Sequence, residues 1–158
     1  MSKFKIPDDD HLDLRFLPGE STYSTTPFDS YPFFSYQYLN IHTIPDYCFN
    51  HNDFLQEDFF SYFQKVKEFS SQRIGDIENH RFKISRHNAA ILSLFKTAVG
   101  ITRKLGDDEI PEFGHFHLSD VKKENGSKRP VIHFFVGQHG VLYILCYDPY
   151  HEIHKTTY

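Results

Sequence analysis

Eleven histidines stand in a chain of 158 residues, and several are spaced so that they could act together. His115 and His117 lie two apart in "FGHFHLSD", so on a strand they share one face. His133 follows in "RPVIHFFV", and His151 and His154 stand in the closing "DPYHEIHKTTY" with Tyr158 at its end. Imidazole suits proton transfer because its ordinary pKa is close to neutral, and the guanidinium of Arg129 suits charge developing on a phosphoryl oxygen. The His115/His117 pair could also begin a metal set completed by His151 and Asp148 or by His133. Neither C-x2-C nor H-E-x-x-H occurs in the chain, and the expectation is no metal and no cofactor. Lys122, Lys123 and Lys128 crowd the segment "KKENGSKRP" beside Arg129. Together with Phe134, Tyr143 and Tyr147 as stacking rings, they could hold RNA; a charged hairpin tip that serves only solubility is the plain alternative.

These residues must be positioned by a small set of elements. Residues 1-31 mix acids, Ser, Thr, Gly and Pro without a sustained period and read as an irregular arm, able to pack through Phe16, Leu17 and Phe28. "FFSYQYLNIHTI" is aromatic and β-branched and reads as a strand closed by Pro45. A helix follows, opened by a capping box of Asp53 and Gln56, with Leu55, Phe59, Tyr62, Phe63, Val66 and Phe69 on its apolar face. The segment "RIGDIENHRFKISRHN" reads as a polar connection with a turn of helix at Ile74 to Ile77. A second helix runs from the cap Asn88 to Leu105, ended by Gly106. Three strands complete the chain, with Asn125-Gly126 and Gly137 to Gly140 as turns. The order β-α-α-β-β-β predicts an α+β domain over 32-158, an antiparallel sheet with both helices on one face.

Bulk composition bounds the function. The length fits one domain that buries about two thirds of its unfolded surface. Only Cys48 and Cys146 are present, the latter inside the apolar run "LYILCY", which suggests a reducing compartment. The start "MSKFKIPDDDHLDL" has no signal-peptide core, and no apolar run approaches the ~20 residues of a membrane span. A cytoplasmic protein away from the membrane is expected. The net charge is -4, but residues 1-60 carry ten acids against three bases, whereas 61-106 carry nine bases against three acids. That asymmetry suits a polyanion-facing side, although ordinary solvated surface would look the same.

The element order and the ending "RPVIHFF...GVLYIL...H...Y" resemble the RelE-like family of small bacterial toxins and its gyrase-poisoning relatives, over about residues 33 to 158. The resemblance implies a ribosome-dependent, metal-independent RNA endonuclease. Arg129 would support the scissile phosphate, and His133, His151, His154 and Tyr158 would supply the acid and base groups. RNA or the ribosome would be the substrate side, and an antitoxin or target protein the partner. Arg73 to His80 and Arg81 to His87 are similar in spacing to the R-x4-6-H of HEPN ribonucleases, but that family is all-helical. His117/Ser119 and His154/Thr156 look like the paired motif of two-histidine phosphodiesterases, at a separation short for that fold. A non-catalytic interaction module, an inhibitor or adaptor using the acidic arm or the 27 Phe and Tyr rings, is the alternative from another class.

Overall fold

The computed structural model describes residues 29–41, 43–77, 82–85, 87–119 and 129–153. Its elements are β1 (Phe33–Ser35), α1 (Gln56–Ser70), β2 (Phe82–Ser85), α2 (Ala89–Val99), β3 (Phe113–His117), β4 (Val131–Val136) and β5 (Val141–Asp148). The class is α+β. The sheet has five strands in the order β1-β5-β4-β3-β2, with β1 parallel to β5 and every other pairing antiparallel. It is therefore mixed rather than purely antiparallel. β2 stands in the segment read as a polar connection and pairs with β3, Phe82 opposite Phe116. A four-residue edge strand leaves too short an alternation to stand out in sequence. The expected short helical turn is present at Ile74–Asp76, and the expected arm, residues 1-31, lies almost wholly outside the described residues.

The two helices cover opposite faces of the sheet, not one face. Tyr62 and Phe69 of α1 share a core with Phe82, Phe116, Ile132, Phe134, Ile144 and Tyr147. Ile91, Leu94 and Phe95 of α2 share another with Phe113, Phe135, Val141, Tyr143 and Leu145. Phe134 and Phe135, neighbours in β4, point to opposite sides, as the strand period demands. All six residues of β4 and all eight of β5 are buried. Strands of this kind read as continuous apolar runs, and each face needs its own cover. Dividing the helices satisfies that need.

Each helix departs from its expected bounds for a local reason. The backbone N–H of Leu55 donates to Asp58 Oδ2 at 2.8 Å, so α1 opens there, and Asp53 does not cap it. Asp53 instead accepts from the hydroxyl of Tyr147 through its carbonyl and from that of Tyr150 through its carboxylate. The buried stripe of α1 is Asp58, Tyr62 and Phe69 with Val66 half-buried, while Leu55, Phe59 and Phe63 face outward. α2 is capped by Asn88, whose Oδ1 accepts from Ile91 N–H at 3.0 Å. It ends at Val99, short of Leu105, because Gly100 takes φ +82° and returns its N–H to Lys96. Only glycine adopts that conformation at little cost.

An irregularity in β5 shapes the face beneath α2. His133 pairs with Cys146 and Phe134 with Ile144, so Leu145 is an extra residue in the ladder. Leu145 and Cys146 both turn to the α2 side, and the carbonyl that the bulge releases at Leu145 accepts from Asn40 N–H at 2.8 Å. The β4 to β5 turn carries His139 at φ 54° and Gly140 at φ 80°. A Cβ at Gly140 would lie 2.8 Å from the Tyr31 carbonyl oxygen, so the turn is pressed against the chain entering β1. Among the described residues no helix is long and apolar enough to cross a membrane.

Candidate imidazole site

Four imidazoles and one carboxylate gather on the α2 side of the sheet, beyond the part that α2 covers. His115 and His117 project from β3 on the face of Phe113, two residues apart. His133 lies directly opposite His115 in the ladder, with ring centres 5.5 Å apart. The chain then runs up β5 to Asp148, which is fully buried, as is His133. His133 Nε2 and Asp148 Oδ2 are 3.4 Å apart.

Asp148 also organises the turn that follows it. Its Oδ1 accepts from Glu152 N–H and its Oδ2 from Ile153 N–H, both at 2.9 Å. Pro149 presets the turn, and His151 completes it with φ 53°, a left-handed conformation that His, Asn and Asp enter more readily than bulky residues. The turn carries the His151 ring back to β3, 5.2 Å from the His115 ring and 5.3 Å from that of His117. Ile153 then plugs the core under α2, and its carbonyl accepts from Asn88 Nδ2 at 2.7 Å. The closing segment thus plugs the core through Ile153 and brings the His151 ring against β3.

Burial is graded across the cluster. His133 and Asp148 are sealed, His115 is 7% exposed, and His117 and His151 are half-buried at the rim. The Nδ1 atoms of His115, His117 and His133 are removed from solvent. Burial by itself pushes the Asp148 pKa up. The hydrogen bond and charge of His133, with the N–H groups of Ile153 and Glu152, outweigh that and leave it below the ordinary aspartate value. The Cys146 thiol is pushed well up by burial and by the Asp148 charge, so it stays protonated and is no nucleophile. What the arrangement offers is proton transfer and lone-pair donation at two accessible imidazoles, backed by two buried ones.

Of the residues singled out in the sequence, the structure brings His115, His117, His133, His151 and Asp148 into one cluster. Arg129 precedes β4; Leu118 N–H donates to the Pro130 carbonyl at 2.9 Å, continuing the β3 to β4 ladder outward. Strand alternation therefore puts Arg129 and Ser119 on the face of His133 and His117. His154, Tyr158, Lys122, Lys123 and Lys128 lie outside the described residues. The proposed stacking rings do not serve that purpose: Phe134, Tyr143 and Tyr147 are buried in the two cores, because the central strands have both faces covered. His115 and His117, read in the sequence as the start of a metal set and not as acid or base, stand in the same cluster, and their signal was the H-x-H spacing on a strand.

A separate cavity of about 130 Å³ lies between the 37–44 loop and α2, lined by Gln37, Asn40, Thr43, Leu94, Thr97 and Leu145 among others. The Asn40 amide there braces its own loop through Ile44 and Tyr47, which is a structural role. The chain matches no protein-family model, no curated protein and no solved structure.

Proposed function

We propose that the chain is a cytoplasmic, RelE-like RNA endonuclease that needs no metal, with the imidazole cluster as its acid and base. The observation that carries this reading is the rim pair His117 and His151, 5.3 Å apart, on the face and at the end of the sheet where Arg129 enters. Cleavage by attack of a ribose 2′-OH requires one group to take the hydroxyl proton and another to protonate the leaving 5′-oxygen. Two rim imidazoles, one neutral and one protonated, fill those roles, and Arg129 balances charge on the phosphoryl oxygens. His133 is sealed from substrate; it acts by holding Asp148 and the His115 ring in place.

The test is cleavage of RNA, with and without ribosomes, in chelator. The expected products are 2′,3′-cyclic phosphate ends. His151→Asn, which keeps a residue that tolerates φ 53°, should slow cleavage about 10²- to 10⁴-fold with the fold intact. Intact RNA under all conditions overturns the reading.

A protein-interaction module remains a second reading, supported by the outer face of α1. Leu55, Phe59, Phe60 and Phe63 are 47–66% exposed, and Tyr31, Phe33 and Tyr36 add exposed rings at the β1 edge. Tyr36 links the two groups through a 3.1 Å hydroxyl contact with Tyr62. The partner would be a protein with an apolar surface. If this face is the working part, Phe60→Ser with Phe63→Ser abolishes any effect on growth, and His151→Asn does not.

A further inference from the structure

We propose that the outer face of α1 pairs with the same face of a second copy of this chain, the two helices lying antiparallel across a twofold axis. The proposal names a partner for the interaction-module reading and rests on the exposed face that carries it; the endonuclease reading stands apart. Leu55 is 47% exposed, Phe59 51%, Phe60 66% and Phe63 61%. An aromatic side chain has about 150–250 Å² to bury, so the four leave roughly 100 Å² each, about 400 Å² in all. That area lies within the ~300–600 Å² of the largest apolar patch on a typical monomer, a size that is often functional. The exposed Gln56, Glu57, Gln64 and Lys67 border it. Patch and border together approach the ~800 Å² that each partner brings to a standard interface.

Charge selects the orientation. Phe60, Phe63, Gln64 and Lys67 recur at helical spacing and form the stripe opposite the buried Asp58, Tyr62 and Phe69. Glu57 stands in the first turn of α1 and Lys67 in the last, both exposed, and neither is held in an ion pair among the described residues. Such charges suit the helix's own dipole. Across a twofold axis they do more. A parallel pair would set Glu57 against Glu57 and Lys67 against Lys67. An antiparallel pair sets each Glu57 against Lys67 of the other copy, twice over, and brings Phe60 and Phe63, which lie between them, together at the axis. The aromatic centre supplies affinity and the charged rim fixes register.

The inner stripe alone joins α1 to the sheet, so a separated copy keeps its fold and dilute melting reads the monomer. The imidazole cluster lies on the other side of the sheet, beneath the α2 face, and the pair leaves it uncovered. The experiment is sedimentation velocity of the full chain at low salt from about 1 µM to about 1 mM, the range suited to an interface near the small end of the size scale. The expected result is a concentration-dependent passage from one chain to two. Phe60→Ser with Phe63→Ser should weaken association at least about tenfold. Glu57→Lys and Lys67→Glu should each weaken it about three- to tenfold, because each creates two like-charge contacts. Lys104→Glu, exposed in the loop after α2, should leave it unchanged.

Reciprocity gives the sharper test. Mixing the Glu57→Lys chain with the Lys67→Glu chain sets Lys against Glu at both contacts, so the mixture should associate as well as the unaltered protein, and the double variant Glu57→Lys with Lys67→Glu should do the same alone. Should the serine pair fail to fold, these charge variants carry the test, since their positions are exposed. A chain that stays monomeric throughout overturns the proposal, as does a mixture that fails to recover. The interaction reading fails separately: a monomer whose effect on growth still requires Phe60 and Phe63 keeps a module with a foreign partner and sinks the dimer, whereas a dimer with no effect on growth keeps this interface alone.

Discussion

The two faces of the sheet are built differently. Beneath α1 the strands present rings and aliphatics from end to end: Phe82, Phe116, Phe134 and Tyr147 meet Tyr62 and Phe69 of the helix. Phe82 and Phe134 stack at 4.7 Å, and Phe69 meets Phe116 edge-on at 5.2 Å. Beneath α2 only half of the face is apolar. α2 has 11 residues against 15 in α1, and past Phe113 and Phe135 the same strands present His115, His117 and His133. A short turn anchored by a buried carboxylate, rather than a helix, closes that half. One face is a core alone; the other is a core with a polar site at its end, held by a few directed hydrogen bonds.

That contrast predicts where damage will be structural and where it will be local. The largest effect is expected on the α1 face: Phe134→Ala empties a ring-packed site and should cost about 3–5 kcal/mol in urea unfolding. A loss below about 1 kcal/mol would mean that this face is not the main core.

On the other face, Asp148→Ala should cost about 3 kcal/mol, because it strands His133 and frees the Glu152 and Ile153 N–H groups. The pH dependence has a definite sign. A carboxylate whose folded pKa is lowered contributes stability above its ordinary titration range and loses it as the pH falls through the folded value. The unaltered chain should therefore lose stability in acid more steeply than Asp148→Asn. Parallel acid-unfolding curves would show that Asp148 does not hold this half of the face.

The smallest effect separates the outside of α1 from its inside. Phe60→Ser, at a ring that is 66% exposed, should change stability by no more than about 0.5 kcal/mol. A large loss in thermal melting would place the outer face of the helix within a packed interface.

The same contrast explains what could be read before the fold was known. Asn88 capping α2, the glycine turn between the last two strands and the apolar run of β5 are local signals, and they are where the sequence places them. Phe59 and Phe63 show the limit of such signals. They recur at helical spacing with Tyr62 and Val66, but the sheet meets a stripe rotated towards Asp58, Tyr62 and Phe69. Periodicity reveals that an apolar face exists; when rings cover more than one side of a helix, packing selects which side is buried.

By itself, the sequence determined the α+β class, the two helices, the three final strands and the shared strand face of His115 and His117. Each depends on residues within a few positions of one another, through capping, strand alternation or turn chemistry. Only the tertiary structure decided that β2 exists, that the helices divide between two faces, and that His133 and His151 join the H-x-H pair. Those outcomes depend on register between segments far apart in the chain: His115 opposite His133, an extra residue at Leu145, and a turn held by Asp148. A shift of one residue in any of these pairings would send an imidazole to the other face, and no local pattern records which register is taken.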